Sequence, residues 1–583
     1  MENSRYKKYI FRAFLIFVLV LSTVTCVYAL QNYQVNNSNT IMQNRQLNFS
    51  GNKYISNDDQ GVPGNQSIAQ DEANSDSDSE MQTNKGNGNK DMKSQNTGGR
   101  SGNNNQNNQS EQNRNNQNYS DNNQRGNNKN RQPGQFGGNM QRGGGEDTKY
   151  VPALSIYGVI FLALSCLAYY LFRRKRIEIS LKDEKCLVFT ILAVGFLLRV
   201  AAATLMQGFS GDITLFRNWA ESAASSFSNF YASARQADYP PLYIYILGLI
   251  GKIASLSSVN PYYTLILKMP SIIADVITSY SIYKLGKKYL SSSISILLGA
   301  FYAFNPAVFI DSTFWGQVDS FFTLLIVVAL YLLSEKKYKL SSGMFAAAIL
   351  MKPQGIIFLP ILFFELVRQK KVKNFVYAAI SAFITAIIII IPFSLNTQNP
   401  LWIINLYTNT ISEYPYASMN AFNLFGLIGG NYKDYNTELF LISYHTLGMI
   451  FIVLTTLIGW FIYIKGNNRR YVSAVALLQI AGVFTFSVGM HERYLFPAEA
   501  LAILALIYLK DRRFFLLAIG FSITNYVNIS TVLFRTNTSI FNNCLEITSI
   551  INILLVAYLL KVLLDNAVKK FSLRFDKEES EAL

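Results

Sequence analysis

The sequence predicts an all-α polytopic membrane protein, a bundle of about 12 spans with two further membrane-embedded half-segments. Half of its 583 residues are hydrophobic, and only 15% are charged. From residue 150 onward, the apolar residues form runs of about 17–25 residues, the length that crosses a hydrocarbon core of ~30 Å. A soluble protein of this length would have shorter apolar runs interrupted by charges.

The net charge of +16 does not indicate nucleic-acid binding, because the basic residues lie in short clusters between the apolar runs. Such clusters are typical of cytoplasmic loops, since lysine and arginine are retained on that side of a membrane. The clusters are "FRRKR" (172–176), "KLGKK" (284–288), "EKKYK" (335–339), "RQKKVK" (368–373), "KGNNRR" (465–470), "KDRR" (510–513) and "KK" (569–570). They predict a lipid bilayer as the partner, with no nucleic acid, and a cytoplasmic C-terminus.

Residues 1–30 carry basic residues before an apolar run that ends near "VYA" (27–29). A cleaved signal peptide and an uncleaved signal anchor both fit this pattern, and we favour the anchor. Residues 31–148 are rich in Asn, Gln, Gly and Ser, with an acidic patch at 71–80. This composition buries too little apolar surface to offset the entropy of ordering. We therefore predict a disordered extracytoplasmic tract there.

Residues 149–565 form the predicted transmembrane domain, and residues 566–583 form a cytoplasmic tail. The basic clusters give each apolar run a direction across the cell membrane. The predicted spans are 151–172, 185–207, 261–284, 291–310, 317–334, 374–392, 438–464, 470–489, 494–510, 513–534 and 541–563. Polar external loops are predicted at 208–240 and 393–437.

Two apolar segments do not fit these alternating directions. "PPLYIYILGLIGKIA" (240–254) follows an external loop, yet the next span must also begin outside, so we expect it to lie on the outer surface or to re-enter. The segment 341–367 has basic clusters on both sides and is interrupted by "KPQG" (352–355), which predicts a pair of half-helices. Non-helical backbone at membrane depth requires protein or a wet cavity around it. Both segments therefore indicate a buried cavity.

Polar clusters at the outer ends of the spans are predicted to surround that cavity, because ionisable residues near hydrocarbon are costly and usually functional. They are "GDITLFRNWA" (211–220), "DYPPLY" (238–243), "FIDSTFWGQVDS" (309–320), "YPYASMNAFNLFG" (414–426) and "HERYLFP" (491–497).

Two carboxylates are candidate catalytic groups. Asp212 directly follows a span, where it can take a proton from a hydroxyl nucleophile, although an acid at a helix start can equally cap free N–H groups. Asp319 is a second candidate, and a cap or a buried ion pair is its alternative. Trp219 lies on the helical face of Asp212, where it can stack on a sugar or anchor the helix at the membrane interface.

Three basic side chains are candidate anion ligands. Arg493 can clamp a phosphate through its planar fork, and His491 can donate to the same phosphate or assist the leaving group. A salt-bridged interfacial loop is the alternative for both. Lys352, at the break in the 341–367 segment, requires an anion, either a lipid phosphate or a carboxylate from another span. Its predicted depth below the external clusters argues against a direct catalytic role.

Several function classes are disfavoured by what the sequence lacks. It contains no Gly-rich phosphate loop and no dinucleotide-binding fingerprint, which argues against ATP-driven transport by this chain. Nucleotide-sugar chemistry would require a cytoplasmic domain for which no segment remains. The four cysteines, at 26, 166, 186 and 544, have neither metal-ligand nor disulfide spacing. We predict no metal site and no cofactor.

The polar clusters together resemble a known family. "GDITLFRNWA", "YPPLYIYILG", "KMPSIIADVITSYSIYKLGKK", "FNPAVFIDSTFWGQVDSFFTLL", "MKPQGIIFLP" and "HERYLFPAEALAIL" are similar to bacterial relatives of the GPI-anchor second mannosyltransferase. That family belongs to the GT-C superfamily of multi-spanning glycosyltransferases. The resemblance covers roughly residues 185–510, and its order of "WGQVDS", "KPQ" and "HERYLFP" is more specific than any one motif.

The resemblance implies a GT-C-type helix bundle that uses a polyprenyl-phosphate sugar as donor on the outer face of the membrane. The family keeps an acidic residue in the first external loop, and that position falls on Asp212. The implied reaction moves a hexose, with mannose as the family-level expectation, to a hydroxyl of an extracytoplasmic glycan, lipid or protein. The sequence has "GD" at Asp212 and not a pair of acids, so metal dependence is in doubt and we expect none.

These implications define a hypothetical mechanism. Arg493, His491 and Lys352 bind the donor phosphate, and Asp212 takes the acceptor proton while the anomeric configuration inverts. The predicted sugar and acceptor contacts are Arg217, Trp219, Asp238, Tyr239, Trp315, Gln317, Asn420 and Asn423.

Two other functions fit the same sequence. A transporter or flippase of polyprenyl-linked glycans also requires many spans and a polar cavity. A scaffold that displays the N-terminal tract at the surface is a third interpretation. A transferase makes a glycosidic bond in detergent, where a flippase has no measurable activity.

Overall fold

The computed structural model describes residues 2–51, 147–173, 183–234, 236–396, 399–571 and 573. The chain divides into two compact units, one of residues 1–47 with 142–583 and the other of residues 48–141. Apart from the last turn of the first helix, every element below belongs to the first unit. Most of the tract predicted to be disordered, 31–148, lies outside the described residues, since 52–146 are not described.

The described chain is almost entirely helical. Its α-helices are α1 Glu2–Gly51, α2 Val151–Arg173, α3 Glu184–Ala203, α4 Ser210–Ser225, α5 Phe230–Ser233, α6 Pro241–Ala254, α7 Tyr263–Tyr289, α8 Ser292–Ala303, α9 Pro306–Ile310, α10 Asp319–Ser334, α11 Tyr338–Ile349, α12 Leu359–Gln369, α13 Val372–Ser394, α14 Trp402–Ser412, α15 Leu424–Leu427, α16 Tyr444–Gly466, α17 Val472–Phe486, α18 Ala498–Leu509, α19 Arg513–Leu533 and α20 Thr538–Ala567. One short antiparallel hairpin pairs β1 Glu438–Leu439 with β2 Ile442–Ser443. Short 3₁₀ turns cover Asp147–Tyr150, Asn260–Tyr262, Pro353–Phe358 and Arg469–Tyr471.

Nine helical segments within the described residues are long and apolar enough to cross a membrane, which confirms the multi-pass all-α prediction. The predicted spans 317–334, 470–489 and 494–510 are instead helices of 16, 15 and 12 residues. At 1.5 Å per residue, even the longest of the three covers only about 24 Å. Nearly every side chain of α17 and α18 is buried. Neighbouring helices enclose these two, so the thickness of the lipid does not set their length.

The first helix continues 21 residues beyond the boundary predicted at residue 30, because no proline or glycine occurs between residues 31 and 50. Arg12 Nε lies 2.7 Å from Asp183 Oδ1, and Tyr33 stacks on Tyr262 with ring centroids 6.1 Å apart. Helix α1 therefore packs on the bundle. A cavity of about 1040 Å³ lies between α1, α2 and α3.

The two segments that did not fit the alternating directions are broken or short, as predicted. Helix α6 has 14 residues and begins with Pro241 at its first position, where its missing N–H costs nothing. Helices α11 and α12 are half-helices joined through the 3₁₀ turn Pro353–Phe358. A Cβ atom on Gly355 would lie 2.7 Å from the Ile349 nitrogen, so only glycine fits this crossing.

A π-turn carries the "WGQVDS" motif to its place. Asn305 caps α9 by accepting a hydrogen bond from the Ala307 N–H at 2.9 Å. The turn Asp311–Trp315 then ends at Gly316, whose φ of +85° is a left-handed conformation that favours glycine. This reversal places Gln317 directly after the turn, ahead of α10.

The external loop after α13 is joined to the "HERYLFP" segment by main-chain contacts. The Met419 N–H donates to the Met490 carbonyl at 3.0 Å, and residues 419 and 420 form bridges with His491. Helix α14, in the same loop, contacts the rest of the bundle through Tyr407, whose hydroxyl donates to the Ile349 carbonyl at 2.8 Å. The described part of this loop, from residue 399 onward, therefore packs on the bundle at α14 and again at residues 419–420.

Candidate active site

A cavity of about 330 Å³ lies where α4, the break between α11 and α12, and the segment 488–494 meet. The structure brings together residues that are far apart in the sequence. Eight of the predicted site residues line this cavity: Asp212, Trp219, Asp238, Tyr239, Gln317, Lys352, His491 and Arg493. Five do not line it: Arg217, Trp315, Asp319, Asn420 and Asn423.

Asp212 lies in the first turn of α4, but its carboxylate does not cap the helix. Its Oδ2 atom accepts hydrogen bonds from Trp315 Nε1 at 2.7 Å and from Gln317 Nε2 at 2.5 Å. The capping alternative is therefore wrong. Both bonds end on Oδ2, and no donor among the described residues reaches Oδ1. This carboxylate is oriented by two side chains and keeps one oxygen able to accept a proton.

Trp315 holds the carboxylate and does not line the cavity, so the structure does not support its predicted place in a sugar pocket. Its side chain is 1% exposed, and its ring stacks on Phe209 with centroids 4.8 Å apart. The Arg493 guanidinium lies 4.5 Å from the same ring. The indole thus supports both Asp212 and Arg493 from behind the cavity.

Aromatic side chains form one wall of the cavity. Trp219 is 1% exposed and packs against Tyr239 at 5.4 Å between ring centroids. Because it is enclosed by the bundle, Trp219 does not act as an anchor at the membrane interface. The Tyr239 hydroxyl donates to Gln317 Oε1 at 3.5 Å, which joins the aromatic wall to the group that orients Asp212.

Arg493 lies among three carboxylates. Its guanidinium contacts Glu492 directly and lies 3.8 Å from Asp212 Oδ2 and 3.6 Å from Asp319 Oδ2. The arginine is 9% exposed, and its buried Nε atom has no hydrogen-bond partner. The 3.6 Å contact is made by that Nε atom, so both longer contacts exceed hydrogen-bond distance and leave donor capacity for an anion in the cavity.

Lys352 pairs with a carboxylate from another helix, which was the alternative to a lipid phosphate. Its Nζ atom lies 2.5 Å from Asp319 Oδ1 at the start of α10. Lys352 lines the same cavity as Asp212, so a deeper position does not separate it from the candidate site; its depth in the membrane stays a prediction. The two half-helices extend far enough for the break to reach that cavity.

Asp319 is not placed as a second catalytic acid. It is 2% exposed, does not line the cavity, and forms the buried ion pair with Lys352. A buried carboxylate requires such a partner, as the alternative interpretation stated. Its structural position is behind the two cations, where it holds Lys352 and lies close to Arg493.

His491 lies between two tyrosine rings, with centroids 5.3 Å from Tyr414 and 5.0 Å from Tyr494. Enclosure of the ring and the positive charges of Arg493 and Lys352 lower the pKa of His491 well below its ordinary value. The imidazole is therefore neutral and offers one N–H donor to a ligand.

Asp238 adds a second carboxyl group to the cavity wall. Its buried Oδ1 atom has no hydrogen-bond partner. Burial raises the pKa of Asp238 to about 7, and the nearby carboxylate of Glu413 adds to the increase. The side chain is thus partly protonated near neutral pH and can donate as well as accept a hydrogen bond.

Arg217 and the two asparagines have roles outside the cavity. Arg217 packs over the Tyr263 ring at 4.5 Å, because five helical residues place it about 140° round α4 from Asp212. Asn420 bonds to the Tyr432 hydroxyl at 2.8 Å, within the external loop. Asn423 caps α15 by accepting from the Gly426 N–H at 2.9 Å. Their predicted sugar contacts are therefore not supported.

Gln354 lines the cavity and was not among the predicted site residues. Its Nε2 atom is buried and has no hydrogen-bond partner. The sequence contained one indication of it, since the "KPQG" break that drew attention to Lys352 also includes Gln354. Tyr414 lines the cavity as well, and it follows α14 in the external loop.

Within the residues that the structure describes, no three His, Cys, Asp or Glu side chains form a group that could hold a metal ion. The four cysteines, all within those ranges, are unpaired. Independence from metal ions stays a prediction.

Comparison with known proteins adds one finding. A family model described as dolichyl-phosphate-mannose-protein mannosyltransferase matches residues 238–395. This stretch begins at Asp238, contains Gln317 and Lys352, and ends after α13; it includes neither Asp212 nor Arg493. A search of curated proteins found no match to the chain.

The helices are those of a multi-pass membrane protein, and the family match indicates a glycosyltransferase of the GT-C type. The match covers well under half of the chain and supports this broad class. The narrower resemblance to relatives of the GPI-anchor second mannosyltransferase stays a prediction.

Proposed function

We propose that the protein transfers a hexose, with mannose as the first candidate, from a polyprenyl-phosphate sugar to an acceptor hydroxyl outside the cytoplasm. One observation carries this proposal. The Asp212 carboxylate is held by Trp315 and Gln317 in a cavity that is also lined by Arg493 and Lys352. A fixed base beside two cations suits attack by a hydroxyl on a carbon that carries a phosphate leaving group.

The donor phosphate binds to the two cations. The contact of Arg493 with Asp212 is 3.8 Å, long enough for a phosphate oxygen in the cavity to replace it. Lys352 uses one N–H on Asp319, and an ammonium has three. His491 supplies a neutral N–H at the edge of the same site. The polyprenyl chain stays in the bilayer while the phosphate and its sugar enter the cavity.

The reaction is a single displacement. The acceptor hydroxyl gives its proton to Asp212 Oδ1 as its oxygen bonds to the anomeric carbon. The bond from that carbon to the phosphate oxygen breaks, and the electron pair leaves with the lipid phosphate. Attack from the face opposite the phosphate inverts the configuration. The leaving phosphate needs no proton, so one base is sufficient.

The acceptor is a hydroxyl of a glycan, a lipid or a protein on the outer face of the cell membrane. The distribution of lysine and arginine supports this orientation, because basic clusters at the opposite ends of the helices are typical of cytoplasmic loops. Asp238 and Gln354 present an unpartnered acceptor and an unpartnered donor to the cavity. Such a pair suits the hydroxyl groups of a sugar.

Transfer by the purified full-length protein in detergent tests the proposal. The donor is synthetic polyprenyl-phosphate mannose, and the acceptor is an envelope extract from cells that lack the gene. We expect Asp212→Asn to lower the rate about 10³-fold, as loss of a general base does. The matched control is Glu221→Gln, an exposed acid on the same helix. A rate near that of the wild type for Asp212→Asn, at normal protein level, would contradict the assignment of Asp212 as the base. If the wild-type protein itself forms no glycosidic bond, a flippase is favoured.

A further inference from the structure

Lys268 is a buried cation on α7 that the proposed reaction does not use. Its side chain is 0% exposed. Its Nζ atom lies 3.1 Å from the carbonyl oxygen of Ala203, 2.7 Å from that of Met206 and 2.7 Å from that of Thr313. A charged ammonium has three N–H donors and a neutral amine has two, so three acceptors fit the charged form. All three partners are main-chain atoms, and the contacts therefore depend on the path of the backbone.

The three carbonyls belong to two segments of the chain. Ala203 is the last residue of α3, and Met206 lies in the turn between α3 and α4. The carbonyls at a helix C-terminus lack intrahelical partners and carry partial negative charge, which a cation satisfies. Thr313 lies in the π-turn between α9 and α10. Lys268 thus joins the end of α3 to the π-turn.

One of these segments leads to the Asp212 carboxylate, and the other carries Trp315, which donates a hydrogen bond to it. The α3–α4 turn leads into the first turn of α4 with Asp212, and the π-turn carries Trp315. The two segments also touch directly, since the Phe209 N–H donates to the Trp315 carbonyl at 2.9 Å. A relative shift of the two segments would move the donors away from Asp212.

Two glycines show how closely these segments approach one another. A Cβ atom on Gly208 would lie 2.7 Å from the Trp315 carbonyl oxygen. A Cβ atom on Gly316 would lie 3.2 Å from Lys268 Cε. Both glycines have positive φ, +109° and +85°, so the backbone there is specific as well as crowded. The lysine lies inside this junction, which is crowded at the two glycines and borders the 1040 Å³ cavity at Met206, Gly208 and Phe314.

We propose that Lys268 is a positioning residue, whose ammonium fixes the α3–α4 turn against the π-turn and so directs the Asp212 carboxylate into the cavity. It does not line the cavity and touches no substrate. The effect on catalysis rests on the proposed function, whereas the effect on the two segments does not.

Hydrogen exchange measured by mass spectrometry tests the structural step on the full-length protein in detergent. In Lys268→Met, peptides covering 204–213 and 311–317 are expected to exchange about tenfold faster than in the wild type. The matched control is Ser279→Ala, also fully buried on α7, whose hydroxyl donates to Gly299 of α8 at 2.9 Å. The control is expected to leave both peptides unchanged. Unchanged exchange in folded Lys268→Met would overturn the inference.

Lys268→Gln is measured in the same way, because an amide retains two of the three donors. Lys268→Gln is expected to give exchange rates between those of the wild type and Lys268→Met. It replaces Lys268→Met if the methionine variant does not accumulate in cells. Equal exchange in Lys268→Gln and the wild type would then count against the proposal.

Kinetics test the catalytic step. Misplacement of a catalytic group lowers kcat, so Lys268→Met is expected to lose about 10²-fold in kcat with the donor KM within twofold of the wild type. A change in KM alone would contradict a role in placing the base. Absence of transfer by the wild-type protein would contradict the proposed function, and the exchange result would still decide whether Lys268 holds the two segments.

Discussion

Two buried ionic clusters in the molecule differ in how completely their polar atoms are paired. In the cluster around Arg513, that guanidinium bonds to Asp511, Asp565 and the Phe571 carbonyl. Asn566 donates to the same Asp511 at 2.8 Å. In the candidate site, by contrast, Asp238 Oδ1 and Gln354 Nε2 are buried without hydrogen-bond partners, and Arg493 Nε and Asp319 Oδ2 face each other at 3.6 Å, beyond hydrogen-bond distance.

The difference distinguishes an ion cluster that stabilises the fold from one that can bind a ligand. Buried polar atoms are normally paired, because an unpaired one costs about 1–3 kcal/mol. The Arg513 cluster satisfies its charges internally and stabilises the junction of α19 and α20. The site leaves Asp238 Oδ1 and Gln354 Nε2 unmatched in the wall of a cavity, where a ligand can complete their hydrogen bonds.

The largest expected effect is on catalysis at the open cluster. Arg493→Ala should lower kcat/KM roughly 10³-fold, because it removes the main group for the donor phosphate. Arg493→Lys should fall between this variant and the wild type, since it retains charge but not the planar fork. Arg217→Met is the control, and we expect it to stay within twofold. A strong loss in Arg217→Met would show that the exposed arginine binds substrate after all.

The next effect falls on stability at the closed cluster. Arg513→Met should destabilise the protein by about 2 kcal/mol, because two carboxylates lose their shared partner. The loss is below that of a fully enclosed pair, since the exposed Lys569 also lies 3.3 Å from Asp565. Denaturation in detergent measures it. The kcat for sugar transfer, measured per folded molecule of Arg513→Met, should equal that of the wild type. A lower kcat would contradict the contrast between the two clusters.

A smaller effect distinguishes two glutamines. Gln354→Leu should raise the donor KM about tenfold, because an unpartnered donor in the cavity is lost, while stability is retained. Gln369→Leu is the matched variant, since its amide donates to Glu365 at 2.7 Å in another internally paired network. It should lose about 1 kcal/mol of stability with no change in KM. Initial rates and denaturation midpoints of both variants provide the comparison.

The smallest effect is a pH dependence at Asp238. Its pKa in the folded protein, about 7, lies above the ordinary value of 3.8, so the folded state holds the proton more tightly than the unfolded chain does. That contribution is complete below pH 3.8 and is lost as the pH rises toward 7. Asp238→Asn should therefore gain about 1–2 °C in midpoint relative to the wild type between pH 5 and pH 8. The exposed Asp434→Asn should show no such trend.

Much of the fold follows from the sequence, because apolar run length and basic clusters report directly on the bilayer. The break at Lys352 and the short α6 could be predicted, because both segments violated the alternating direction of the spans. The lengths of α17 and α18 were not predictable, since an apolar run alone does not distinguish a helix enclosed by other helices from one that faces lipid. Their burial is a property of the assembled bundle.

The candidate site was predictable as a set of outer-end clusters but not as a network. Asp212 stood out because it follows a span. That Trp315 faces Asp212 and not a sugar depends on the π-turn and on Gly316, which no periodic pattern reveals. Asn423 shows the opposite error, since a polar residue in a polar cluster turned out to be a helix cap. The spacing of residues in the sequence indicates which side chains lie near one another. Only the packing of the folded chain determines which of their polar atoms lack hydrogen-bond partners.

The packing of α1 on the bundle bears on how the protein matures. Cleavage after Ala29 would remove Arg12 from Asp183 and take Cys26 out of its contact with α3 and α7. It would also remove Thr25 and Tyr28 from the wall of the 1040 Å³ cavity between α1, α2 and α3. Signal-peptide processing would thus change the surface and the cavity beside α3 as well as the length of the protein, and N-terminal sequencing of the purified protein distinguishes the two forms.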